Sequence, residues 1–181
     1  MKLRLILLAG LALTAPALAD GTGTITVSGS VSPACYFGSP VATTLNVGTL
    51  ANQADGTLAP ITPQSTTIPS SWCNTGSTIG IIASPLVAQS YIGSPPAGFT
   101  KAVNYTATAA GWATNSASFT TTGDTSGGGN GTTPGTQTTS DPVAQTITVT
   151  VSNFLAPSAG NRLVADPNYS STITVTLAAT H

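Results

Sequence analysis

QTITVTVSNF, residues 145–154, places Ile147, Val149 and Val151 at every second position, with Thr146, Thr148, Thr150 and Ser152 between them. Successive side chains of an extended chain point to opposite sides, so this spacing gives one apolar face and one hydroxyl-bearing face, the pattern of a half-buried β-strand. Val, Ile and Thr are branched at Cβ, which suits a pleated backbone better than a helix. The same beat occurs twice more. In residues 24–31, Ile25, Val27, Gly29 and Val31 alternate with Thr24, Thr26, Ser28 and Ser30. Near the C-terminus, Ile173, Val175 and Leu177 alternate with Thr172, Thr174 and Thr176. Weaker runs over 45–50, 78–83, 103–109 and 118–122 add candidate strands, and no segment carries a capped 3.6-residue apolar stripe. Turn formers such as Gly38-Ser39-Pro40, the stretch 60–63 and the Gly/Pro-rich stretch 93–98 cut the chain into short pieces. The expected class is all-β, as a sandwich of short strands.

Residues 123–135, GDTSGGGNGTTPG, are low in complexity, and so much glycine makes ordering costly; a mobile excursion between strands is expected there. The segment lacks the GK[ST] ending and following helix of a phosphate-binding loop.

At the N-terminus Lys2 and Arg4 precede an apolar run over 5–15, and Pro16-Ala17-Leu18-Ala19 supplies the small-x-small pattern cut by signal peptidase. Residues 1–19 are therefore expected to be a signal peptide. No later stretch approaches the roughly 18–20 apolar residues of a membrane span, so the product is expected to be exported without direct membrane insertion. Beyond residue 19, Lys101 and Arg162 face Asp20, Asp55, Asp124, Asp141 and Asp166, with no Glu at all. So few cations cannot neutralise a phosphate backbone, which argues against nucleic acid as a partner. The polar surface must be built from Thr, Ser, Asn and Gln, and a surface so low in charge favours self-association.

Cys35 and Cys73 are the only cysteines. In an oxidising compartment an even pair is most simply a disulfide, which would stabilise the fold by roughly 3–4 kcal/mol on the chain-entropy model. No companion His or Cys supports a redox or metal site there. The search for catalytic groups is nearly empty. The one histidine is the terminal His181, and the five aspartates are scattered, with Asp124 and Asp166 in turn-forming contexts. No calcium-loop pattern, metal cluster or cofactor motif is present, and the expectation is a chain that is not an enzyme and takes no cofactor. Trp72, Trp112, Tyr91 and Tyr105 could form an aromatic platform for sugar, but Trp72 beside Cys73 is rather expected to pack over the disulfide and Tyr105 to sit in or beside the core. Trp112, after Gly111 at a strand end, and Tyr91 are the candidates for an exposed surface that binds carbohydrate.

The leading segment TGTITVSGSV (22–31) followed by Cys35, the stretch LNVGTL (45–50), a strand containing the second cysteine, and the ending NYSSTITVTL (168–177) resemble chaperone–usher pilus subunits of the archaic type, which share the spore coat protein U domain. The resemblance implies an immunoglobulin-like sandwich that lacks its last strand and is completed by a neighbour's N-terminal segment. It implies a donor segment at 20–33, with Ile25, Val27 and Val31 as plugs and Gly29 where only a small group fits, and a pilin-like domain at 34–181. The implied partners are identical or homologous subunits, a periplasmic chaperone and an outer-membrane usher. The implied function is a subunit of a surface fibre that supports adhesion or biofilm formation, passing through the periplasm to the cell surface. The alternative is a secreted monomeric sandwich that binds carbohydrate or another surface component.

Overall fold

The computed structural model describes residues 22–180. The expected signal peptide at 1–19, together with Asp20, Gly21 and His181, lies outside the described residues. The chain divides into two units, Met1–Val31, of which 22–31 are described, and Ser32–His181.

Within the second unit there are twelve strands and, among the described residues, no helix. They are β1 (Cys35–Tyr36), β2 (Gln64–Cys73), β3 (Ser77–Ala83), β4 (Leu86–Ala88), β5 (Phe99–Thr100), β6 (Ala102–Ala110), β7 (Ala117–Thr120), β8 (Gly135–Thr139), β9 (Val143–Leu155), β10 (Arg162–Leu163), β11 (Tyr169–Ser170) and β12 (Ile173–Ala179). The larger sheet runs β1-β2-β9-β6-β4-β11, with β7 also on β6; a smaller sheet runs β12-β3-β8. Both are antiparallel throughout. A short parallel pair, β5 with β10, stands apart.

The period-two reading of 145–154 is met by β9: Ile147, Val149 and Val151 are buried, and the intervening side chains are half-buried or exposed. These residues share one core with Ile79 and Ile81 of β3 and with Tyr105, Ala107 and Ala109 of β6. Apolar faces of both sheets therefore close on each other, an arrangement consistent with a β-sandwich. The weaker runs 78–83, 103–109 and 118–122 correspond to β3, β6 and β7.

Two expected strands are absent. Residues 45–50 form none, although Leu45, Val47 and Leu50 still pack against the core. Residues 24–31 also form none and are exposed throughout. Conversely, β2 lacks a clean alternation because it contains a bulge. Ile68 pairs with Ile147 and Ser71 with Gln145, so Pro69 and Ser70 together oppose Thr146 alone. Pro69 is tolerated there because a bulge needs no ladder donor at that position.

The glycine-rich stretch is tied down rather than left as a free excursion. Asp124 Oδ1 accepts from the backbone N–H groups of Ser126 and Gly128, at 2.8 and 3.0 Å, and Asn130 Nδ2 donates to Ala83 O at 2.7 Å. The stretch ends by entering β8 at Gly135. Side-chain hydrogen bonds supply what its composition withholds.

Cys35 and Cys73 are bonded, directly opposite each other on β1 and β2. The adjoining chain is held by Asn74, whose Oδ1 accepts from Ala34 N at 2.7 Å and whose Nδ2 donates to Ser32 O at 2.9 Å.

Candidate functional site

The feature of the second unit that most invites a function is an open groove of about 630 Å³ between the two sheets. Its floor is Ile68, Val149, Val151 and Tyr105 from the larger sheet. One wall is β12, through Ile173 and Val175; the other is the irregular chain from Phe37 to Val47. That irregular wall is fixed to β2 by Val41 N donating to Thr67 O at 2.8 Å and Ala42 N donating to the Thr66 hydroxyl at 2.9 Å.

β12 gives the groove its open edge. It pairs with β3 on one side and, among the described residues, with no strand on the other. Ser84 N donates to Thr172 O and Thr180 N to Gly76 O at the two ends of this ladder. Because bonding alternates along an antiparallel strand, the even-numbered residues serve β3. Ile173, Val175, Leu177 and Ala179 therefore turn their N–H and C=O groups toward the open side. Their side chains point to the core but are only half-buried, and Ile173 and Val175 border the groove. An edge with free backbone groups and adjoining bare aliphatic surface is the template on which another strand pairs.

Two aromatic residues line one end. Tyr105 and Phe154 stack with centroids 5.7 Å apart. Phe154 would face away from the core if β9 kept its alternation, but Asn153 and Phe154 together oppose Tyr105, and Asn153 has φ 54°. This bulge turns the ring into the groove. Tyr169 donates its hydroxyl to Val164 O at 2.8 Å, and burial, followed by the nearby Asp166 carboxylate, pushes its pKa up to about 12. Burial also raises the pKa of Tyr105, opposed by its hydrogen bond with Ser171. The groove thus offers neutral apolar surface and a free ladder edge, with no acid–base pair.

The expected donor residues lie in the first unit. Ile25, Val27 and Val31 are 89, 92 and 86 % exposed, and a Cβ added at Gly29 would meet nothing within 4 Å. The expected surface aromatics are not brought together. Trp112 is a core residue: Gly111, at φ 90°, turns the chain back, and the indole N–H reaches Ser77 Oγ at 3.0 Å. Burial with a satisfied N–H removes Trp112 as a contact for any ligand. Tyr91 is half-buried in the loop after β4. Trp72 does not cover the disulfide either; it points outward while Cys73 points in, and it stacks on Tyr36. Asp166 behaves as a turn residue, accepting from Asn168 N and Ser90 N at 2.7 Å each. Although desolvation opposes ionisation there, those backbone donors hold its pKa below the usual value.

Among the described residues no group of His, Cys, Asp and Glu could hold a metal ion, and no helix is long and apolar enough to cross a membrane. No protein-family model, curated protein or solved structure matches the chain.

Proposed function

We propose that this chain is an exported structural subunit of a bacterial surface fibre, and that it polymerises by laying residues 22–31 of one copy into the groove beside β12 of the next. The supporting observation is the pairing of two unmet needs. Residues 24–31 carry alternating apolar side chains that are nearly fully exposed, while β12 has, among the described residues, an unpaired edge above an apolar trough. Strand addition would satisfy both: the backbone ladder supplies continuity, and alternate side chains enter the trough. The fold is then an immunoglobulin-like sandwich short of one strand. Because donor and acceptor surfaces differ, the contact is head-to-tail, and repeated without closing into a ring it builds a filament.

On this reading the partners are identical or homologous subunits, and the bare groove requires a periplasmic chaperone before an outer-membrane usher passes the subunit into the fibre. The role is mechanical and adhesive rather than catalytic. Deleting residues 20–31 is expected to abolish fibres on the producing cells and leave a chaperone-bound or aggregating domain; fibres of normal length from that deletion would contradict the proposal.

A further inference from the structure

The bulge in β2 has an effect at the opposite face from the groove. Without an extra residue, Trp72 would share the parity of buried Ile68 and point into the core. With Pro69 and Ser70 opposing Thr146 alone, the phase shifts: Ser71 and Cys73 are buried and Trp72 emerges, 41 % exposed. The shift costs backbone strain, since Ser70 is a non-glycine residue at φ 58°. It is also braced. The Ser71 hydroxyl accepts from Gly38 N at 3.0 Å, and the backbone at Gly38 comes so close to Pro69 O that a Cβ there would collide with it.

What this emergence presents is a paired aromatic surface. Tyr36, 51 % exposed, stands opposite Trp72 across the β1–β2 ladder, with ring centroids 6.4 Å apart and planes 21° from parallel. Beside Trp72 lies a shallow depression of about 380 Å³ lined by Ser70, Ser71, Trp72, Ala144, Gln145 and Thr146. Its lining has hydroxyls and one carboxamide and no charged side chain. A large apolar ring flanked by a few neutral hydrogen-bonding groups suits a ligand with an apolar face and many hydroxyls around its edge. A pyranose ring is such a ligand: its axial C–H groups lie on an aromatic ring, and its equatorial hydroxyls bond to amides and hydroxyls at the side.

We infer that Tyr36 and Trp72, with Gln145, Thr146 and Ser70 beside them, form a binding site for neutral oligosaccharide. The absence of a cation in the lining favours uncharged over acidic sugars. The site does not depend on the groove or on polymerisation. It provides carbohydrate recognition at a place other than Trp112 and Tyr91.

The test uses the mature chain, residues 20–181, with cello-, malto- and chito-hexaose as neutral probes and oligogalacturonate as the acidic one, followed by calorimetry and tryptophan fluorescence. At least one neutral probe is expected to bind and to shift the emission of Trp72 to shorter wavelength. Trp72→Ala and Tyr36→Ala should each weaken that affinity by about tenfold or more. Thr146→Trp, which fills the depression while leaving the aromatic pair in place, should weaken it similarly and covers the case in which Trp72→Ala fails to fold. Binding of no neutral probe, preference for oligogalacturonate, or affinity unchanged by Trp72→Ala and Thr146→Trp would each overturn the inference. So would dimers that Trp72→Ala abolishes, seen by light scattering without any saccharide binding, since the aromatic pair would then be a subunit contact.

Discussion

Residues 146–151 and 24–31 are written in the same alphabet, Thr or Ser alternating with Ile or Val save for Gly29, and they meet opposite fates. In β9 the aliphatic face is buried between two sheets, and both backbone edges are paired, with β2 and β6. In 24–31 the same face stands in solvent and no strand forms. The alternation specifies which face a strand would bury; it does not supply the neighbour that makes the strand. An isolated extended segment gains little from its own backbone, so its order must come from a partner.

The strongest way to break this contrast is a charge placed in each segment. Val149→Asp puts an unpaired carboxylate in the core and should cost about 3–5 kcal/mol or prevent folding altogether. Val27→Asp should leave the stability of the second unit within about 0.5 kcal/mol of wild type in denaturant titration and yet suppress polymers. Equal effects of the two substitutions on stability would mean that 24–31 is part of the folded core.

The disulfide sharpens the contrast at the start of the second unit, because β1 is only two residues long and depends on its link to β2. Replacing both Cys35 and Cys73 by Ser should destabilise the domain by about 2–5 kcal/mol, read as a lower denaturant midpoint. A smaller loss, about 1–3 kcal/mol, is expected from Gly38→Ala, whose Cβ would meet backbone at Pro69 rather than a yielding side chain. That variant should also alter the emission of Trp72, since the bulge it disturbs sets the orientation of that ring.

The smallest effect is on pH dependence. Tyr169 has its pKa raised from 10.0 to about 12 by burial at the groove. Below pH 10 both folded and unfolded chains keep the proton, so stability does not depend on this group. Between pH 10 and about 12 the unfolded chain loses the proton first, and stability falls as pH rises. Filling the groove should bury Tyr169 further and move its spectroscopic titration upward; an unmoved titration would place the added strand elsewhere.

Much of the fold was legible because residues 79–83 of β3, 103–109 of β6, 146–152 of β9 and β12 keep one period of burial or alternation. β2 was not, because Pro69 and the Ser70 bulge reverse its phase midway. Phe154 was likewise hidden, since the bulge at Asn153 changes the face on which it falls. The burial of Trp112 is not legible, because sequence gives no sign that Gly111 folds the indole back onto Ser77. The Tyr36–Trp72 pair, by contrast, left a signal: once Cys35 and Cys73 are joined across antiparallel strands, their neighbours Tyr36 and Trp72 must stand opposite each other. The groove itself could not be read, because it is assembled from five separate stretches of chain and an irregular wall.

The most direct test of strand donation is the assembly state of the mature chain, residues 20–181, by size-exclusion chromatography with light scattering and negative-stain microscopy, with and without a synthetic peptide of residues 20–33. The account predicts heat-resistant linear polymers whose growth the peptide caps by occupying the groove beside β12. A compact monomer indifferent to the peptide would contradict it.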